Sequence, residues 1–296
     1  METKNNEKPK TFAIIGGDKR NIELAKILHS YGHNVKLFGF VNHELELHMQ
    51  CKNLQESVAK ADYIIGPIPV SHNGEALNAP FHNSSIYIDD LFKIIKPHQL
   101  FLAGLVKQEL LDRAKKYDIQ IIDLLKREDL LIKNAIPTSE GALKIAIEET
   151  DVTLHDSNMM IIGYGRIGKI LAGMLRGIGA NVFAVVNSDE SAAAAKSAGH
   201  TAIHFTDLNE HLKYANVIFN TVPKTLLDKS NMKDIPKNTL IIDLASPPYG
   251  VDVNSWRDFG LKVLYASSLP GKVAPVTTAT YIWDTVKRIL EEKEND

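Results

Sequence analysis

A single cysteine, Cys51, stands in a chain of 296 residues. One thiol excludes an internal disulfide framework and any all-cysteine metal site, and it suits a reducing compartment. Cys51 itself is expected to be small, inert filler. Charge of one sign is lacking too. Lys and Arg number 34 against 36 Asp and Glu, a formal charge of −2, so there is no electrostatic footprint for nucleic acid or an anionic membrane. No run approaches the ~20 apolar residues of a membrane span. The opening "METKNNEKPK" lacks the apolar core of a signal peptide. These absences predict a soluble, cytoplasmic protein. No spacing suggests a zinc or iron site, and none suggests a Ser–His–Asp triad.

What the sequence does have is rhythm. The short apolar runs "TFAIIGG", "NVKLFGF", "DYIIGPI", "QLFLAG" and "IQIIDLL" alternate with amphipathic segments such as "NIELAKILHSYG" and "KQELLDRAKKYD". Continuous apolar strands separated by helices indicate a parallel sheet covered on both faces. A second unit follows with "NMMIIG", "NVFAVVN", "TAIHF", "NVIFNTVP", "TLIIDLAS" and "LKVLYAS". The fold class is therefore α/β, with two doubly wound, Rossmann-like domains.

Two segments stand outside these units. In "NAIPTSEGALKIAIEET", Pro137, Thr138 and Ser139 predict a helix start, since the hydroxyls can accept orphan N–H groups. In "SSLPGKVAPVTTATYIWDTVKRILEE", Pro275 suits a first turn. Val276, Ala279, Ile282, Trp283, Val286, Ile289 and Leu290 then recur at helical spacing. This last helix is free to cross back onto the first unit. The expected division is 1–136 with 275–296, and 137–274. The two linking helices would frame a cleft, with the front half as its second wall and substrate in between.

The sharpest local signal is "GYGRIGK". Gly163, Gly165 and Gly168 have the G-x-G-x-x-G spacing directly after a strand and before a helix. Gly163 permits the tight turn, Gly165 lets backbone approach a pyrophosphate, and Gly168 lets helix and strand pack closely. The phosphates would face the backbone from Gly163 through Tyr164, Arg166 and Ile167 to Gly168. An NAD site usually ends its second strand in a carboxylate. Here that end carries Asn187 and Ser188, which can hydrogen-bond a 2′-phosphate, so NADP is favoured over NAD, with Asp189 as counter-evidence. Thr221, Val222, Pro223, Ala245 and Ser246 end the fourth and fifth strands, where ribose and nicotinamide are expected.

In the first unit, "IIGGDKR" lacks a third glycine and reads as a short anion pocket. Arg20 would be a fork for a carboxylate. Its plainer alternative is a helix cap at Asp18 with a surface arginine. "GPIPVSHNG" presents Ser71 and His72. "SLPGKVAP" predicts a turn at Pro270 and Gly271 that leaves Lys272 free to reach an anion opposite Arg20.

"IPTSEG" and "LPGKVAPVTTA" resemble the flanking motifs of the methylenetetrahydrofolate dehydrogenase and amino-acid dehydrogenase-like group. The joint order of "AIIGGDKR", "AIPTSEGALKIAI", "GYGRIGK", "DLASPPYGVD" and "LPGKVAP" resembles, over nearly the whole chain, the family of dipicolinate synthase A subunits of endospore formation. No Tyr-x-x-x-Lys, the folate enzyme's signature, occurs. The resemblance implies conversion of 4-hydroxytetrahydrodipicolinate to pyridine-2,6-dicarboxylate using NADP. It also implies a flavoprotein-like second subunit (the B subunit) as partner, a homo-oligomer, and the mother cell of a sporulating bacterium. A cyclic dicarboxylate needs cationic or N–H-rich contacts, for which Arg20, Lys272, Ser71 and the helix start at Thr138–Ser139 are candidates. Glu140 or Asp18 would move protons. Two departures stand out: Pro248 where the family is expected to have Gly, and "NS" in place of an Arg-containing strand end. A non-catalytic, nucleotide-binding partner of the second subunit is the alternative.

Overall fold

The computed structural model describes residues 8–41 and 49–295. They form two compact units: residues up to Leu131 together with those from Ala274, and Ile132–Val273.

In the first unit, β1 (Thr11–Ile15), α1 (Lys19–Ser30), β2 (Asn34–Phe38), α2 (Leu54–Val58) and β3 (Tyr63–Ile65) are followed by α3 (Ile88–Phe92), β4 (Leu100–Ala103), α4 (Gln108–Lys115) and β5 (Gln120–Asp123). The described strands form a five-stranded sheet in the order β2-β1-β3-β4-β5, parallel throughout. Alternate residues of β1 feed opposite cores, as strand geometry requires. Phe12 and Ile14 join Leu24 and Leu28 of α1, while Ala13 and Ile15 join Phe92 and Phe101.

The second unit holds α5 (Glu128–Glu149, from its second turn on), β6 (Asn158–Ile162), α6 (Arg166–Gly177), β7 (Asn181–Val186), α7 (Asp189–Ser197), β8 (Thr201–His204) and α8 (Leu208–His211). Then come β9 (Val217–Asn220), β10 (Leu240–Asp243), β11 (Lys262–Tyr265) and α9 (Leu269–Val273). The sheet runs β11-β10-β9-β6-β7-β8, all parallel. Chain order thus reverses between β6 and β9, which is the doubly wound arrangement with a ligand crevice at that switch point. Every residue of β9 and β10 is buried, because helices cover both faces.

The last helix, α10 (Pro275–Asn295), belongs to the first unit. Ala279, Ile282, Trp283, Val286, Ile289 and Leu290 are buried in the core that holds Phe12 and Leu24, each large side chain contributing about 1.5–3 kcal/mol. Trp283 meets the Phe12 ring edge-on at 5.9 Å. Val276, expected on this stripe, is 58% exposed.

Two local expectations are overturned. The helix does not start at Pro137: α5 runs unbroken from Glu128 to Glu149 with Pro137 inside it. Thr138 Oγ1 donates to the Asn134 carbonyl and Ser139 Oγ to that of Ala135, each at 2.8 Å. The hydroxyls therefore bond back into the preceding turn instead of capping a new one. An interior proline costs about 3 kcal/mol, which burial of Leu130, Ala135, Ala142 and Ala146 offsets. Nor do Pro270 and Gly271 make a turn. They lie in α9, where Pro270 occupies a first-turn position that needs no N–H. The chain instead bends at Ser268, with φ +57°. A Cβ on Gly141 of α5 would lie 3.1 Å from Leu269 Cβ and 3.0 Å from Val273, so α9 packs directly on that glycine.

Candidate functional site

The glycine loop joins β6 to α6 at the carboxyl edge of the second sheet. Gly163 has φ +97°, and a Cβ there would lie 2.5 Å from Thr221 Oγ1. Gly168 is tighter still, with a Cβ only 2.0 Å from the Gly163 carbonyl oxygen. Gly165 caps α6, and its missing Cβ meets nothing within 4 Å. The first and third glycines thus serve packing, while the second faces open space, where an anion can reach the N–H groups of the first turn. Thr221 Oγ1 donates to the Ile162 carbonyl at 3.0 Å, tying the end of β9 to the loop.

Beside this loop lies a crevice of about 450 Å³. Gly163, Tyr164, Gly165, Asn187, Thr221, Val222 and Pro223 line it, and so do Ser191, Phe205 and Lys224. Its apolar wall, including Val185, Val186 and Leu226, suits a flat aromatic base. Burial pushes the Tyr164 phenol up from its ordinary pKa. Arg166, Ile167, Gly168, Ser188, Ala245 and Ser246 are not part of the lining. Ser188 is the cap of α7: its hydroxyl accepts from the Ser191 N–H at 3.2 Å. That bond, expected for a phosphate, is satisfied internally. Lys224 is exposed and pairs with no carboxylate among the described residues. Its only sequence signal is that it follows Pro223.

A second cluster was not legible in the sequence. Asp243, at the end of β10, is fully buried. Its carboxylate accepts from Asn220 Nδ2 (2.8 Å) and from the N–H groups of Ala245 (3.0 Å), Gly250 (2.8 Å) and Val251 (3.0 Å). A Cβ on Gly250 would lie 2.0 Å from Asn220 Nδ2. Tyr249 is left-handed, with φ +70°, and its ring centroid is 4.9 Å from that of Tyr265. Burial, and then the negative charge of Asp243, push the Tyr265 phenol up to about 12.

In the first unit Asp18 caps α1. Arg20 is 4% exposed rather than a surface residue. Its Nε and Nη2 bind the Asp18 carboxylate at 2.9 and 2.8 Å, and Nη2 also donates to the Ile68 carbonyl. The fork expected to await a substrate carboxylate is occupied by the chain's own. Ser71 is likewise engaged, donating to the Ala76 carbonyl at 2.5 Å and accepting from the Gly74 N–H at 2.9 Å. Both corrections have one cause: a charged or hydroxyl group at a loop finds a local partner unless the fold removes it.

Glu140 also departs from expectation. It lines a groove with Met174, Gly177 and Ile178, at the opposite end of α6 from the glycine loop. Thr138 and Ser139 offer no helix terminus. Lys272 donates to the Ser267 carbonyl at 3.0 Å, and no carboxylate among the described residues neutralises it. No cluster of metal-ligating side chains is present among the described residues, and none of their helices is long and apolar enough to cross a membrane.

Comparison with known proteins agrees with this geometry. Residues 11–125 match the family described as the N-terminal domain of the dipicolinate synthase A subunit, and residues 144–259 that described as shikimate / quinate 5-dehydrogenase. The dipicolinate synthase A subunit of Bacillus subtilis (strain 168) is 30% identical over 284 residues, covering 95% of this chain and 96% of that one. The crystal structure of the corresponding A subunit from Bacillus halodurans is similar at a TM-score of 0.88 and 28% identity, over 95% of this chain and 97% of that one. A transhydrogenase from Sinorhizobium meliloti shares the fold at a TM-score of 0.70 and 14% identity, over 95% and 94%. With a dipicolinate synthase A subunit 30% identical over nearly the full length of both chains, this chain belongs to the family of dipicolinate synthase A subunits.

Proposed function

We propose that this chain is the NADP-dependent oxidoreductase subunit of a dipicolinate synthase, acting on 4-hydroxytetrahydrodipicolinate together with a flavoprotein-like second subunit. The observation that carries the reading is the crevice at the glycine loop. It has open space at Gly165, an apolar wall for adenine, and no carboxylate among its lining residues, which include Asn187 and Lys224. The overall change is loss of water and of two hydrogens, giving an aromatic ring. When bound, the nicotinamide would accept one of those hydrogens as hydride, and the other leaves as a proton.

The chain's own part is binding and proton handling. The α6 N-terminus holds the pyrophosphate, and Lys224 and Asn187 hold the 2′-phosphate. Lys272, unneutralised among the described residues, takes one ring carboxylate. Asp18 is the proposed proton-moving group, and Arg20 fixes its orientation through two of the guanidinium nitrogens. The test is reconstitution from the chain, its partner subunit, substrate and NADP, following the near-ultraviolet absorbance of dipicolinate. Formation should need both subunits. Undiminished formation with a Gly165→Ala chain in place of the unaltered one contradicts the reading.

A further inference from the structure

The buried carboxylate of Asp243 does not line the nucleotide crevice, yet it is among the most heavily bonded side chains of the second unit. Three of its four donors are main-chain N–H groups of one loop, at Ala245, Gly250 and Val251. The fourth, Asn220, ends the neighbouring strand, and its Oδ1 accepts from the Val222 N–H at 3.2 Å. One carboxylate thus ties the carboxyl ends of β9 and β10 to the whole path from 245 to 251.

Within that path Tyr249 is left-handed, a conformation that costs a non-glycine residue folding stability. Such strain persists only where surrounding structure enforces it, and it gathers at ligand sites. Here the enforcing contacts are the Asp243 bond to the next residue, the Tyr249 N–H to the Ser246 carbonyl at 3.0 Å, and the ring of Tyr265.

The sheet gives the loop its place. In a doubly wound sheet each half of a dinucleotide sits on one mononucleotide-binding half. The crevice lies against the ends of β6 and β7 and the residues that follow β9, which leaves the ends of β10 and β11 for the nicotinamide. We infer that Asp243 and Asn220 are positioning residues, which hold the 245–251 loop as the seat of the nicotinamide ring. The inference rests on the nicotinamide reading above.

The test compares NADPH with 2′-phospho-ADP-ribose, which is the same molecule without the ring, and NADH with ADP-ribose in parallel, so that cofactor choice does not enter. Asp243→Asn keeps the shape but replaces an acceptor oxygen with an NH2 among N–H donors. Affinity for the ring-less nucleotides should fall by no more than about twofold, since Asp243 itself does not line the crevice. Affinity for NADPH should fall roughly tenfold, the scale of a lost aromatic seat, and the fluorescence of bound NADPH should shift toward that of free NADPH.

Tyr249→Gly guards against a variant that fails to fold. It removes the left-handed strain, so the thermal midpoint should not fall, while NADPH should weaken relative to the ring-less nucleotide. Tyr249→Phe, which keeps the ring pair, should bind both as the unaltered chain does. Equal weakening of the paired nucleotides in Asp243→Asn overturns the inference, and so does a lower midpoint with both affinities unchanged. An unaltered chain that binds none of the four nucleotides overturns the functional reading itself, and this inference with it.

Discussion

Single alanine replacements at Gly165 and Gly168 separate two uses of one glycine loop. At Gly168 the new Cβ lies 2.0 Å from the Gly163 carbonyl oxygen and 3.0 Å from its carbon. Helix α6 must move away by about 1 Å, an overpacking strain of about 1–3 kcal/mol. For a chain of this size each kcal/mol shifts the midpoint by about 2–4 °C, so Gly168→Ala should melt about 2–12 °C lower. At Gly165 a Cβ meets nothing within 4 Å. Alanine caps a helix less well than glycine, but it reduces unfolded-chain entropy by about 0.4–1 kcal/mol. The two effects nearly cancel, leaving the midpoint within about 3 °C. The methyl group, however, occupies the space through which a pyrophosphate approaches. Losing one charge-assisted bond costs ~1.5–3 kcal/mol, so NADP should bind ten- to hundredfold more weakly. Thermal melts without nucleotide and calorimetric titration with NADP read the two effects separately. A Gly165→Ala chain that binds NADP as tightly as the unaltered one, or that melts lower than Gly168→Ala, refutes the reasoning.

Three further outcomes are expected. Asn187→Asp sets a carboxylate against the 2′-phosphate and should reverse the order of NADP and NAD affinities; tighter NAD binding by the unaltered protein would sink the NADP assignment. Lys272→Met should weaken substrate binding ten- to hundredfold through loss of a charge-assisted bond while NADP affinity stays within about twofold, and an unchanged substrate affinity removes Lys272 from the site. Burial, and then Arg176, hold His200 below its usual pKa of 6.5. The unfolded chain therefore takes up that proton first, and stability should fall as pH drops below 6.5, by at most about 1.4 kcal/mol per pH unit. His200→Phe should flatten the midpoint-versus-pH curve on the acid side, and an unchanged slope would discharge His200 from that role.

Local signals were legible in the sequence and tertiary ones were not. A strand buried on both faces must be apolar throughout, so β9 and β10 announced themselves. The glycine spacing is equally local, because the turn, the helix start and the Gly163–Gly168 contact fall within six residues. Pro137 misled because a proline normally starts a helix. Only the burial of Leu130, Ala135 and Ala142, a fact of packing, carries α5 through it. Arg20 misled for a similar reason: its partner Asp18 was in view, but the burial that locks the pair together was not. The Asp243 cluster depends on Asn220, which is distant in sequence, and on a loop that doubles back. Its one trace is an acidic residue ending an apolar strand, "TLIID", with a glycine seven positions on.

The most direct measurement of the central claim is the ratio of NADPH formed to dipicolinate formed in one reconstituted reaction. Chain, partner subunit, 4-hydroxytetrahydrodipicolinate and NADP are mixed, and both products are followed together. Loss of two hydrogens to one nicotinamide predicts one NADPH for each dipicolinate, with neither product appearing when the Gly165→Ala chain replaces the unaltered one at NADP concentrations below its weakened affinity. Dipicolinate accumulating at full rate with no NADPH, or with only the partner subunit present, contradicts the account.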